Sequence, residues 1–336
     1  MIDMNEIEKF SIYDKITGVP SAHCSSIIKL SNGDMICVFY AGQYEKSPDV
    51  KIYLSRLNKD YQFFGTEAKW TKPQVIAYTP NHSSGNPVLY ETPSKRLYLF
   101  WQSMHNGNII KGGWSVCSIK FQWSEDFGYN WTSWQYLRRL WGYVLRCRPI
   151  ITKNGKFILP VHREFFNYIC RFYISNDKEL KSIPILHGKI ESKQTGLLEP
   201  CILEYNDHLI CFMRSNKIKK IHISYSFDDG LNWSKPESLN LPNPNSQIDA
   251  IKLKNNDILM AFNNQEHGRT NLSIAISNDG GKTWPIIKTI LEDKYKIREY
   301  HYPSLLDTSD KIIHLTYTDN RERIGYLRFS LDWIYS

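Results

Sequence analysis

Two sets of polar residues recur at corresponding places along the chain, each beside an apolar segment. One set opens such a segment: His23, Asn86, Arg148, Glu199, Asp249 and Tyr302. The other follows a second apolar segment: Glu45 and Asp49, His105, His162-Arg163-Glu164, Arg214, Arg269, and Asp319-Asn320-Arg321. Carboxylates can shuttle protons, a phenol can attack once a base takes its proton, and guanidiniums can grip an anion through two parallel hydrogen bonds. Gathered at one place, these groups suit acid–base work on an acidic ligand. Lining a wet channel, they would only solvate it. The choice depends on what positions them.

What positions them is a repeat. Ser124-Glu-Asp126-Phe-Gly128-Tyr-Asn-Trp131, Ser226-Phe-Asp228-Asp-Gly230-Leu-Asn-Trp233 and Ser277-Asn-Asp279-Gly-Gly281-Lys-Thr-Trp284 share one template, Ser-x-Asp-x-Gly-x-x-Trp. Weaker copies stand at Ser175-Asn-Asp177 and Ser330-Leu-Asp332, and a still weaker one at Ser55 with Trp70 downstream. From Ser124 onward the serines are spaced by about fifty residues, a period that belongs to repeat architectures. In each box Asp caps backbone N–H groups of a tight turn, Gly takes a positive φ, and Trp covers the turn, so the box is read as structural.

Upstream of each box an apolar run, a polar turn and a second apolar run read as a hairpin. The turns are Asn32-Gly33-Asp34, Ser94-Lys95-Arg96, Asn154-Gly155, Asn206-Asp207, Asn255-Asn256-Asp257 and Ser309-Asp310. Six such hairpins alternating with six box hairpins predict an all-β, six-bladed β-propeller with Asp-box turns. The expected blades are about residues 21–80, 81–145, 146–196, 197–246, 247–299 and 300–336, in a single domain over 1–336. Too little chain follows the last box for a good fourth strand, so Ile7–Tyr13 is expected to supply it and close the ring. In a four-stranded blade the innermost strand starts, and the second strand ends, on one face, so both polar sets converge on a central funnel.

Composition narrows the classes. Of 336 residues, 42% are hydrophobic and 23% charged, as in a soluble globular protein. No apolar run approaches the roughly 20 residues that cross a bilayer, so no membrane partner is expected. The net charge of +8 comes from 42 basic against 34 acidic residues with no dense basic stripe, which argues against nucleic acid. Seven cysteines sit in apolar runs without a CxxC pair or a Cys/His cluster, so they read as buried thiols, and neither metal nor cofactor is expected. The start, Met1-Ile2-Asp3-Met4-Asn5-Glu6, lacks a basic head and an apolar segment, so a cytoplasmic location is expected; a processed exported chain would read the same.

The three full boxes and the hairpin pattern, from about Ser21 to Arg328, resemble the sialidase (neuraminidase) superfamily, and specifically its BNR/Asp-box repeat proteins. Gly196-Leu-Leu-Glu199-Pro-Cys-Ile-Leu and Phe212-Met-Arg214-Ser match the glutamate and arginine of that family's fourth blade. Asn264-Gln-Glu-His-Gly-Arg269-Thr-Asn-Leu is similar to the segment bearing a second arginine, and Tyr300-His-Tyr302-Pro-Ser-Leu-Leu to the one bearing a tyrosine nucleophile. Two places depart from the pattern. His23-Cys24-Ser25 replaces the motif that brings the third arginine of a carboxylate clamp, and the acid/base aspartate after the first blade's second strand has only Glu45 or Asp49 to stand for it.

The resemblance implies an exo-glycosidase that hydrolyses a terminal acidic sugar, sialic acid or a relative, with retention. A carboxylate beside the anomeric carbon repels a carboxylate nucleophile, whereas a neutral phenol avoids that repulsion. Tyr302 is then the nucleophile, Glu199 its base, and Glu45 or Asp49 the group that protonates the leaving oxygen and later activates water. Arg214 and Arg269 hold the acidic group. Arg148, Arg163 or Arg321, or a protonated His23, would add a third contact, and His162, Asn86 and Asp249 complete the binding set. Two alternatives stay open: a lyase in which His23 or His162 works with a tyrosine to eliminate across a uronic acid, and a propeller that only binds glycans.

Overall fold

The computed structural model describes residues 6–15, 18–105, 113–114, 116–139, 142–164, 167–308 and 311–336. Six antiparallel sheets account for almost all of it, and the only α-helix among the described residues is the short Leu331–Tyr335. The innermost strands are Ser21–Lys29, Ser84–Glu91, the split pair Tyr143–Leu145 and Ile150–Ile151, Leu197–Tyr205, Asp249–Lys252 and Tyr300–Asp307. Each contacts the innermost strand of the next sheet, except that the third blade meets the fourth through its second strand, Phe157–Arg163, and the last returns to the first, so the sheets form a closed six-bladed β-propeller.

The ring closes through Glu8–Tyr13, which pairs antiparallel with Arg323–Ser330 as the outermost strand of the sixth blade. The sixth hairpin's turn, Ser309-Asp310, lies outside the described residues. The weak box at Ser330 turns out to be a helix cap rather than a hairpin turn: Ser330 Oγ accepts from Trp333 N at 3.0 Å.

The full boxes are built alike. Ser124 Oγ accepts from Gly128 N at 2.8 Å and donates to Asp126 Oδ1 at 2.7 Å, and Asn130 N donates to Asp126 Oδ1 at 2.8 Å. The boxes at Ser226 and Ser277 repeat this pattern, and Gly128, Gly230 and Gly281 hold φ of +89°, +85° and +86°, a region that costs a residue with a Cβ. Each box tryptophan donates to its own box glycine's carbonyl and packs on the preceding blade. Trp233 stacks on Phe172 with ring centroids 4.6 Å apart, and Trp284 meets Phe212 edge-on at 5.8 Å. Apolar side chains between adjacent sheets form the core, and all seven cysteines are buried free thiols within it.

Candidate functional site

Four of the six innermost strands carry the same irregularity. Their pairing slips between His23 and Ser26, Gly85 and Val88, Leu198 and Cys201, and His301 and Ser304. The first residue of each bulge, Cys24, Asn86, Glu199 and Tyr302, has φ of +55°, +46°, +50° and +55°. Such a conformation costs a residue with a Cβ about 1–3 kcal/mol and persists where the surroundings enforce it. All four side chains line one cavity of about 200 Å³ at the propeller's centre. Sequence spacing pointed to His23 in the first blade; the bulge gives that place to Cys24.

On the cavity wall Arg214 joins the phenol to the glutamate. Its Nη1 donates to Tyr302 Oη at 3.2 Å, and its Nε lies 3.0 Å from Glu199 Oε2. The second contact is one of charge: neither Nε nor Oε2 has an aligned hydrogen-bond partner. No hydrogen bond joins Glu199 directly to Tyr302, so Arg214 is their common neighbour. Burial pushes the Tyr302 phenol up to about 12, with Arg214 working against it and Glu199 with it. For Arg214 burial opposes the charge, but Glu199 and Tyr302 outweigh it and hold the guanidinium above its usual range.

Arg269 completes the basic wall, its guanidinium 5.5 Å from the Tyr302 ring. Arg214 Nη1 and Arg269 Nη2 both donate to the backbone carbonyl of Asn245, at 2.9 and 3.0 Å. Asn245 presents that oxygen from a left-handed conformation, φ +61°, in a turn tied by Asn243 Nδ2 donating to Ser246 O. Arg269 Nη1 and Asn245 Oδ1 are buried without partners. Free hydrogen-bonding atoms buried in a cavity await a polar ligand.

Across the cavity, Glu45 accepts from Arg321 Nη1 and from Trp114 Nε1, the latter at 3.2 Å. Arg321 is thus bound to an acid rather than free to form a third fork. Asn86 donates to Leu145 O at 2.9 Å and leaves its Oδ1 buried and unpaired. His162 Nε2 lies 3.2 Å from Glu164 Oε1, and its Nδ1 is buried without a partner.

Other expected site residues lie elsewhere. Asp49 is not in the cavity: its carboxylate caps its own loop, taking Gln43 N at 3.0 Å and the Ser47 hydroxyl, which leaves Glu45 as the acid of that blade. Arg148 and Asp249 pair with each other below the cavity, where Asp249 also accepts from Leu305 N at 2.7 Å. Arg148 borders an opening on the opposite face, beside Asn256 of a hairpin turn. The cause is a broken strand: residues 146–149 leave the third blade's inner strand, and Arg146 takes the axial place. Its Nη2 bonds Ser25 O, Gln247 Oε1 and Tyr302 O, at 3.2, 3.0 and 3.3 Å. Arg163 turns to Asn167, at 2.6 Å. His23 lines the cavity and packs its ring 4.4 Å from that of Tyr302, but burial, then the neighbouring His301 and arginines, drive its pKa well below the usual value. It is a neutral imidazole sharing a hydrogen bond with Thr318, not a cationic third contact.

Sequence reasoning missed Cys24, Trp114, Asn245 and Arg146, and also Tyr40, which lines the cavity with its ring edge-on to that of His23. Trp114 and Asn245 lie on connections, where no strand period marks them; Arg146 was hidden by the break two residues before Arg148.

The model of the BNR repeat-like domain matches residues 33–315. The chain belongs to this family. Among solved structures, a protein of unknown function from Dyadobacter fermentans is similar at 15% identity and a TM-score of 0.78, over 96% of this chain and 99% of that one. The NanB sialidase from Streptococcus pneumoniae is similar at 13% identity and a TM-score of 0.76, over 97% of this chain and 70% of that one. The intramolecular trans-sialidase from Ruminococcus gnavus, solved with oseltamivir carboxylate, is similar at 15% identity and a TM-score of 0.74, over 97% and 98%. A search of curated protein sequences finds no match. This BNR-family protein thus has a sialidase-like propeller; identities this low carry the fold and nothing finer.

Proposed function

We propose that this BNR-family protein is a retaining exo-glycosidase that removes a terminal acidic sugar, sialic acid or a relative. One observation carries the reading: Arg214 touches both the Tyr302 phenol and Glu199 at the wall of a cavity sized for one sugar ring, with Arg269 beside them. The sugar's carboxylate sits on the free edges of the two guanidiniums, which their shared bond to Asn245 O holds side by side. That places the anomeric carbon over Tyr302 Oη.

Burial keeps the phenol protonated, so attack requires a base. Glu199 Oε2, with no aligned partner of its own, is the group to take that proton after a rotation about the shared Arg214. As Tyr302 Oη bonds the anomeric carbon, the glycosidic bond breaks and Glu45, which must exchange its pairing with Arg321 for a proton, protonates the departing oxygen. Glu45 then takes a proton from the water that attacks the same carbon, and Tyr302 Oη leaves and recovers its proton from Glu199. Two inversions give net retention.

A second reading rests on His162. His162 lines the cavity and keeps its Nδ1 buried and unpaired, and its imidazole could abstract a proton beside a uronic carboxylate held by the arginines. Product analysis decides. Hydrolysis of an acidic-sugar aryl glycoside releases the saturated sugar, elimination gives an unsaturated uronate absorbing in the ultraviolet, and a glycan-binding propeller gives neither.

A further inference from the structure

The third blade keeps the box turn but lacks its tryptophan. Asp177 N donates to Ser175 Oγ at 3.0 Å, and Lys181 N to Asp177 Oδ2 at 2.7 Å, as in the complete boxes. Seven residues after the box serine, where Trp131, Trp233 and Trp284 stand in the other copies, this blade has the exposed Ser182. Each of those tryptophans fills the junction with the blade before it. Trp233 stacks on Phe172, three residues before the box serine of its neighbour; Trp284 packs against the apolar cluster that holds Ile223, and Trp131 against the one that holds Ile52, the corresponding positions. At the junction of blades two and three the corresponding residue is Phe121, and nothing stacks on it from the box.

A cavity of about 250 Å³ lies there instead, walled by Phe121, Trp123, Phe100 and Leu180, with Ser182 at its edge. The space exceeds the ~150 Å³ that suffices to take up a benzene ring in an apolar cavity. Phe121 and Trp123 are half-buried and nearly parallel, at 25° to one another, so flat apolar faces border the opening. Arg96, whose guanidinium lies 5.7 Å from the Trp123 ring and is ion-paired with Glu125 at 2.7 Å, and Lys181 stand at the rim.

We propose that this cavity binds a small planar aromatic molecule of indole size, seated where the other blades place their own tryptophan, with an anionic substituent turned toward Lys181. The ring regains the aromatic contacts and removes apolar surface from water, and Lys181 sets the preference for charge, since Glu125 already neutralises Arg96. This site is separate from the central cavity and stands whether or not the protein is a glycosidase.

Thermal unfolding with indole-3-acetate and with tryptamine as probes tests it. Indole-3-acetate raises Tm saturably and binds roughly two- to five-fold more tightly than tryptamine, the difference expected of exposed charge pairs. Ser182→Trp raises Tm without ligand and abolishes the response. Gln135→Trp, at an exposed wall position, blocks the cavity without altering the box and carries the same test if Ser182→Trp does not fold. Arg214→Ala, which disables the central basic wall, keeps the response. No saturable response of the wild type at millimolar probe overturns the proposal. So does an undiminished response in the blocked variants, or one lost in Arg214→Ala.

Discussion

Arg214 Nη1 donates to the Tyr302 phenolic oxygen at 3.2 Å, so one guanidinium on the cavity wall also orients the phenol. In the proposed reaction, clamp and nucleophile are therefore coupled. Tyr302→Phe removes only the attacking oxygen and leaves the ring that packs against His23. Turnover of an acidic-sugar aryl glycoside should fall by at least about 100-fold, the lower end of what one positioned catalytic group contributes. Urea denaturation should show the fold intact; a variant with unchanged kcat places the nucleophile elsewhere.

Arg269→Ala leaves Tyr302 and Glu199 in place and removes one guanidinium of the clamp. KM for the anionic substrate should rise by about tenfold or more, in line with the roughly 1.5–3 kcal/mol of a charge-assisted hydrogen bond. Equal KM values for variant and wild type would reject the clamp.

Asn245 makes the clamp through its backbone, which yields an unusual ordering of variants. Glycine adopts φ near +61° freely, so Asn245→Gly should keep KM within about threefold, whereas the β-branched Asn245→Val disfavours that conformation and should raise KM several-fold more. Steady-state kinetics with one anionic substrate reads both, and a valine variant matching the glycine variant removes the role of the turn.

Acid sensitivity follows from two buried imidazoles. Burial brings His301 down to about 3 and His23 well below its ordinary value, so both are neutral in the folded protein. The unfolded chain takes up these protons near pH 6.5 and the folded one only far below, so stability is full above about 6.5 and declines as pH falls toward 3. The urea midpoint should drop across that window, and His301→Gln should make the drop shallower. An unaltered slope would mean that other groups govern acid unfolding.

The boxes should matter for stability alone. Asp228→Ala removes the acceptor of Asn232 N at 2.8 Å on the face opposite the cavity. It should cost about 1 kcal/mol, the usual effect of losing a cap, while kcat and KM stay at wild-type values. Thermal denaturation and kinetics on one preparation separate the two.

Much of this was legible because the boxes repeat a turn whose every residue has a local reason, and because hairpins punctuated by Asn, Asp and Gly set the blade count. Glu199 and Tyr302 were legible too, each opening an inner strand just where a bulge turns it inward. The residues beyond local pattern were displaced or missed. In the third blade the strand breaks around Arg146–Pro149, so counting along an unbroken strand lands on Arg148 rather than the axial Arg146. Asp49 looked like a catalytic acid because nothing in its type distinguishes a loop cap from a proton donor; only the bonds to Gln43 and Ser47 do.

The pairing of Glu8–Tyr13 with Arg323–Ser330 has a consequence for how the protein is made. A nascent chain releases Glu8–Tyr13 before any other strand of the propeller, yet that strand has no edge to join until Arg323–Ser330 has left the exit tunnel. Five blades can pair within themselves during translation, but the circle shuts only once the sixth has emerged. Until then two unpaired strand edges stand exposed, and that interval is when the polypeptide is most open to aggregation or to a chaperone's grip.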